Sequence, residues 1–216
     1  MSITPSAEYT LTQLYHQLAA NLGPSGWWPA DSPAEILVGA ILVQNTTWQN
    51  AAQSLANLRP VTHFDPQQLA RLPLAQLQAL IRPSGFYRHK SQALHALFAW
   101  LQTQGPDADF SQWPNSQLRR RLLALPGIGP ETADAMRLYV FGQPNFIADH
   151  YSRRLFGWLG QNFATYAQLK SVTHAVDNWP LAQAQEFHGL IDNFGKTVKT
   201  QADFAASWLA GACLRL

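Results

Sequence analysis

Charge is scarce in this chain: 13% of its 216 residues are Asp, Glu, Lys or Arg, against 47% hydrophobic. A chain so composed buries a core, and disorder is excluded. Cysteine occurs once, at Cys213, so no disulfide framework supports the fold. The net charge of +2 is too small by itself to mark a nucleic-acid binder. Neither a signal-peptide pattern nor a long apolar run is present, which gives the expectation of a soluble cytoplasmic protein without membrane contact. The seven histidines show no metal-ligand spacing, so no zinc is expected. Repeats, low-complexity tracts and sustained strand alternation are also missing.

What is present is helical periodicity. Helices are expected over residues 8–21, with Leu11, Leu14, Tyr15 and Leu18 on one side, and from Ser32-Pro33 through Ile36, Leu37, Ala40, Ile41 and Val43. Others are expected from Trp48 to Leu58, after the Asp65-Pro66 cap, over 74–81, over 88–102, and from a cap at Asn115-Ser116. The remainder fall at 130–141, 150–159, 165–178, 181–194 and 202–213. The expected fold class is all-α.

Residues 122–134, Leu-Leu-Ala-Leu-Pro-Gly-Ile-Gly-Pro-Glu-Thr-Ala-Asp, organise the rest. They read as a helix ending at Leu125, a tight turn Pro126-Gly127-Ile128-Gly129, and a helix starting near Pro130. Two glycines in such a turn permit positive φ and close approach of another backbone. The amides of Gly127, Ile128 and Gly129, with the start of the next helix, then form donors for an anion such as a phosphodiester, although the turn alone is equally a plain connector. Downstream, Gln143-Pro144-Asn145-Phe146-Ile147-Ala148-Asp149 delivers a carboxylate after an apolar loop, where an N-cap is the competing role. Arg119, Arg120 and Arg121 precede the hairpin, and Arg153 and Arg154 follow Asp149. Five flanking arginines suit phosphate neutralisation or a solvated helix face.

In this order and at this spacing, the two motifs resemble the helix–hairpin–helix, Gly/Pro loop and Asp signature of the endonuclease III superfamily of DNA base-excision glycosylases. Leu37 to Trp48 is similar to the family's helix ending in Gln-x-Thr. Gly85-Phe86-Tyr87-x-x-Lys90-Ser91 resembles its Gly-Tyr-x-x-Lys-Ala segment, and Gly195-Lys196 its His-Gly-Arg turn. Trp27-Trp28-Pro29, Gln44-Asn45-Thr46 and Arg82-Pro83-Ser84-Gly85-Phe86-Tyr87 look most like the 3-methyladenine DNA glycosylase III branch. The resemblance implies two helical domains with an active-site cleft between them. One is a six-helix bundle over 33–143 carrying the hairpin; the other joins 1–32 to 144–216 and carries Asp149. It further implies a monomer acting on damaged double-stranded DNA in the nucleoid.

Hydrolysis of an N-glycosidic bond needs the base out of the stack and an oxocarbenium-like sugar stabilised. Asp149 is the carboxylate expected to stabilise that cation and orient water. Departures from the family narrow the reaction. Lyase-active members carry a lysine two residues after the last hairpin glycine, where this chain has Glu131, so a monofunctional enzyme is implied. One cysteine cannot ligate the four-cysteine iron–sulfur cluster of many relatives. The glutamate of adenine-mismatch relatives aligns with Gly39, which removes the general acid for a neutral purine. Alkylated purines already carry positive charge and leave without protonation, and Trp27, Trp28, Pro29 and Trp48 are the expected aromatic base pocket. Two adjacent tryptophans in a loop are poor core material, because neighbours in extended chain point apart. Gln44 resembles the residue that fills the gap left by the flipped base, with a helix C-cap as the alternative. Lys196 is open to DNA contact, pairing with a carboxylate, or burial with modification. The carbonyls of Leu123, Leu125 and Ile128 match positions that hold a monovalent cation in relatives; no other cofactor is implied. Two readings compete with an alkylated-purine glycosylase: an enzyme for oxidised or mismatched pyrimidines, and a non-catalytic module that recognises DNA structure.

Overall fold

The computed structural model describes residues 7–105 and 108–216. In chain order the elements are β1 (Ala7–Tyr9), α1 (Leu11–Leu22), α2 (Pro33–Leu42), α3 (Trp48–Thr62), α4 (Pro66–Arg71), α5 (Leu74–Leu80) and α6 (Tyr87–Gln104). They continue as α7 (Asn115–Leu123), α8 (Pro130–Tyr139), α9 (His150–Trp158), α10 (Tyr166–Ser171), α11 (Leu181–Thr197), α12 (Gln201–Ala205) and β2 (Ala212–Leu214). The all-α class holds. The chain divides into two compact units, one of residues 29–143 and one joining residues 1–28 to 144–216. Residues 1–6 of the expected terminal domain, and 106–107 of the expected bundle, lie outside the described residues.

In the continuous unit the hydrophobic centre is α2. Ser32 caps it by accepting from Glu35 N–H, Pro33 fills its first turn, and Ala34, Leu37, Val38, Ala40, Ile41 and Leu42 are all buried. A helix apolar all round lies inside a bundle, and α2 packs against α3, α6 and α8. Its C-terminal end is closed by Lys90, 3% exposed, whose Nζ donates to Leu42 O at 2.8 Å and Ser84 O at 2.6 Å. A cation at a helix C-terminus meets the negative end of the peptide dipoles. Burial pushes the Lys90 amine down to about 8. Beyond Val43 the helix stops where Asn45 turns left-handed, at φ 51°. No side chain caps α7, which begins at Asn115 after Pro114; the expected Asn115-Ser116 cap is therefore replaced by the proline's fixed backbone.

The terminal unit is built around α11. Phe187, Leu190, Ile191 and Phe194 recur at helical spacing and are buried, each contributing about 1.5–3 kcal/mol. They face α1 and α9, and Phe146 joins them through ring contacts with Phe156 at 5.4 Å and Phe187 at 5.8 Å. Three expectations fail here: residues 165–178 split into α10, ending at Ser171, and a 3-10 turn over His174–Asn178, and two more concern the chain's ends. The stretch 202–213 is not one helix: α12 ends at Ala205, Gly211 takes φ 74°, and 212–214 form a strand. That strand pairs in parallel with β1, Ala7 opposite Ala212, so residues 8–10 precede the first helix instead of starting it. The latter two differences come from pairing between the two ends of the chain, which local periodicity does not contain.

Candidate active site

Asp149 stands at the N-terminus of α9 and caps it. Its Oδ1 accepts from Ser152 N–H at 2.7 Å, while Oδ2 lies 3.5 Å from His188 Nε2 on α11. The approach is rigid: Ser152 Oγ donates to Ile147 O, and Lys170 Nζ to Phe146 O, both at 2.8 Å. Asp149 is 9% exposed. Burial alone would push its carboxyl up, but the His188 ring and the Ser152 donors outweigh it and hold the group below the ordinary range. The cap and the candidate catalyst are thus one residue, with a different oxygen for each duty. His188 escaped the sequence reading, since a lone histidine inside a helix carries no local signal of what it faces.

Trp27 and Trp28 lie in the same unit. Their ring centroids are 5.2 Å apart, so the expectation that neighbouring rings point apart does not hold. Their loop is seated on α11: Glu186 accepts from Ser25 N and Oγ, each at 2.7 Å, and Asn193 Nδ2 donates to Ser25 O at 3.0 Å. Lys196, its side chain 43% exposed, pairs with Asp192 at 2.5 Å and lies 4.3 Å over the Trp27 ring. Of the three roles open to Lys196, carboxylate pairing is the one present, and burial is not.

Arg153 and Arg154, expected to contact DNA, are both engaged within the chain as well. Arg154 donates to Gly195 O and to Val198 O, the latter at 3.0 Å, and spreads over Tyr151 and Trp158. The last carbonyls of α11 are the negative end of a 17-residue helix and draw the guanidinium inward. Arg153 donates to Ala164 O at 3.0 Å.

The other candidates belong to the continuous unit. Gly127 has φ 75°, and a Cβ there would sit 2.9 Å from Ala93 Cβ, so glycine is required twice over. Gly129 is ordinary extended backbone at φ −89°, ψ 176°, and a Cβ there would meet nothing within 4 Å. The expectation of two positive-φ glycines therefore holds only for Gly127. Gly129 precedes α8 without a side-chain cap, which leaves first-turn amides directed outward. Ile128 is buried, its N–H reaching Leu125 O at 3.4 Å, and the Leu123 carbonyl belongs to the last residue of α7.

Gln44 does not cap α2. Its Nε2 donates to Thr132 Oγ1 at 2.8 Å and Gly127 O at 3.2 Å, tying the loop after α2 to the hairpin. Trp48 is the half-buried first residue of α3, which Thr47 caps, and Pro29 is exposed. Arg119 is spent internally: with Arg137 it pairs with the fully buried Asp134, at 2.9 Å each, and Arg137 Nε also donates to Gln143 Oε1. Arg120 and Arg121 are exposed. Phe86, 64% exposed at φ 48°, went unremarked as a site residue. It lines a concavity of about 150 Å³ with Gln44, Asn45, His89, Lys90 and Gly127.

An uncapped glycine hairpin between α7 and α8, in a mostly helical chain with a buried aspartate capping α9, defines a protein of the helix–hairpin–helix class. The chain belongs to the HhH-GPD superfamily of base excision DNA repair proteins, which it matches over residues 38–180. It is 32% identical to a proposed DNA repair glycosylase of Methanocaldococcus jannaschii over 83% of this chain and 84% of that protein. Among solved structures it is similar to an H. pylori 3-methyladenine DNA glycosylase bound to 1,N6-ethenoadenine. That likeness has a TM-score of 0.70 and 29% identity, covering 86% of this chain and 94% of the other. An endonuclease III–DNA complex shares the fold at TM-score 0.69 and 22% identity, over 87% and 86% of the two chains. Among the described residues, no helix is long and apolar enough to cross a membrane.

Proposed function

We propose that this protein is a monofunctional DNA N-glycosylase that flips alkylated purines such as 3-methyladenine out of double-stranded DNA and hydrolyses their glycosidic bond. The observation that carries this reading is Asp149: a buried carboxylate held ionised at a helix N-terminus, with one oxygen committed to the cap. Its second oxygen stabilises the oxocarbenium-like sugar and orients the attacking water. A purine alkylated on a ring nitrogen leaves as a neutral base, so no general acid is called for, in keeping with buried Gly39 at the aligned position. The buried carboxylate nearest in sequence, Glu35, is committed to an ion pair with Arg59 at 2.5 Å.

Trp27 and Trp28 supply an aromatic wall in the unit that carries Asp149; electron-rich faces favour a cationic base by about 1–2 kcal/mol when desolvated. The H. pylori relative, named for 3-methyladenine and solved with an ethenoadenine, supports the same base class. Glu131 stands where a Schiff-base amine would be needed, so strand cleavage is not part of the reaction. The hairpin amides, with Arg120 and Arg121, bind phosphate, while Gln44 and Phe86 enter the gap left by the flipped base. The carbonyls of Leu123, Leu125 and Ile128 are hard oxygen donors, and Leu125 O is engaged only at 3.4 Å; they would hold a monovalent cation that helps neutralise the phosphate. No iron–sulfur cluster takes part, and the monomer acts alone.

The test is base release identified by mass from methylated and from oxidised duplex DNA. Wild-type protein should release alkylated purines, and Asp149→Asn, which keeps the cap, should release almost none while binding DNA as well or better. Release confined to oxidised pyrimidines would replace the substrate class. Unchanged release by Asp149→Asn would sink the mechanism.

A further inference from the structure

One helix serves both halves of the chemistry in the terminal unit, holding the tryptophan loop on one face and meeting Asp149 on another. From α11, Glu186 and Asn193 hold Ser25, and Gly189 gives the Ser25–Trp27 loop its seat. The residue beside that glycine, His188, faces Asp149. The two side chains are 10% and 12% exposed, so the contact lies in a low-dielectric setting. A capping aspartate held through Oδ1 alone retains freedom to rotate its carboxylate plane; a second contact at Oδ2 removes it.

We propose that His188 is a positioning residue for base excision: from α11 it fixes the plane of the Asp149 carboxylate relative to the tryptophan wall seated on the same helix. This rests on the glycosylase reading above. The other charged groups around Asp149 are engaged elsewhere. On α9, His150 is exposed and shares Arg154, whose guanidinium closes α11, and Arg153 is bound to Ala164. On α10, Lys170 is held by Asn145 and Phe146; on α11, Asp192 and Lys196 pair with each other. Among the described residues, His188 is the cation-capable group within 4 Å of the Asp149 carboxylate. Burial opposes ionisation of Asp149, and His188 is the strongest group acting against that burial. Removing it raises the pH at which the carboxylate becomes active.

The experiment measures single-turnover release of 3-methyladenine from methylated duplex between pH 5 and 9, with affinity for abasic DNA measured alongside. His188→Leu should slow release about tenfold to a hundredfold, the range found when a group orienting a reactive ligand is lost. Its acid limb should move to higher pH, with affinity unchanged. His188→Gln, which returns an N–H donor, should recover the acid limb and most of the rate. His188→Asn, too short to reach, should resemble His188→Leu and replaces it if the apolar variant does not fold. A wild-type acid limb in His188→Leu, or equal impairment of His188→Gln and His188→Leu, overturns the inference. In either case wild-type release that depends on Asp149 leaves the glycosylase reading standing. No release by the wild-type protein removes that reading, and the inference falls with it.

Discussion

Replacing Gly189 with alanine separates the two things a helical glycine can do. Within α11, alanine removes backbone entropy and alone stabilises by about 0.5–1 kcal/mol. The new methyl has nowhere to go: an added Cβ would sit 2.7 Å from Trp27 Cβ and 2.8 Å from Ser25 Cβ. Neither is the far end of a flexible side chain, so the loop itself must lift. Overpacking of this kind costs about 1–3 kcal/mol. Lifting Ser25 also weakens its two bonds to Glu186, worth about 1 kcal/mol each. The packing loss exceeds the helix gain, and a net loss of about 1–2 kcal/mol, or several degrees in Tm, is expected. Displacing an aromatic wall by about 1 Å should reduce alkylated-base release about a hundredfold, since positioning errors of that size are that costly. Thermal unfolding and single-turnover release from methylated DNA read the two effects in one sample. A variant that gains stability and keeps the wild-type rate would refute both the seating of the tryptophan loop and its part in base recognition.

The arginines make a paired prediction: Arg120→Ala should flatten the salt dependence of DNA binding by about 0.9, whereas Arg153→Ala, already bound within the chain, should leave it unchanged. On abasic duplex, borohydride should trap no covalent adduct; a trapped adduct would mean that another amine performs the chemistry absent at Glu131. Lys90→Met strands the Leu42 and Ser84 carbonyls inside the core and should lower the unfolding free energy by about 2–4 kcal/mol in denaturant titrations. The pH dependence has a definite sign. Lys90 in the folded protein titrates at about 8, below its value of about 10 in an unfolded chain, so the unfolded chain binds the proton more tightly. Stability should therefore rise between pH 8 and 10, by on the order of 1–2 kcal/mol since the two carbonyls still solvate the ammonium, and the rise should vanish in Lys90→Met.

The hairpin was legible because its determinants are local: Gly127 needs a positive φ, and Pro130 starts a helix wherever it sits in this context. Asp149 was legible for the same reason, as a capping residue before an amphipathic helix. The intrachain partners of Arg153 and Arg154 were not legible, because a guanidinium in a sequence looks equally ready for phosphate or for protein. What decides is the open C-terminus of α11, which arrives some forty residues later and collects Arg154. Arg119 was misplaced likewise, since the demand of Asp134 for two guanidinium partners appears only once α7 packs against α8. Tertiary partners, not local patterns, assign long charged side chains.

The pairing of β1 with β2 also fixes an order of events during synthesis. Ala7–Tyr9 is translated long before its ladder partner Ala212–Leu214, and Arg215 N–H also donates to Tyr9 O at 2.8 Å. Residues 29–143 hold their own core and can fold while the rest is still being translated. Asp149 must wait, because His188, the seat for Trp27 and the strand that closes the unit all emerge after it. A nascent chain would thus carry a finished hairpin before Asp149 has the partners that hold it, so the two motifs the sequence places in succession are completed far apart in time.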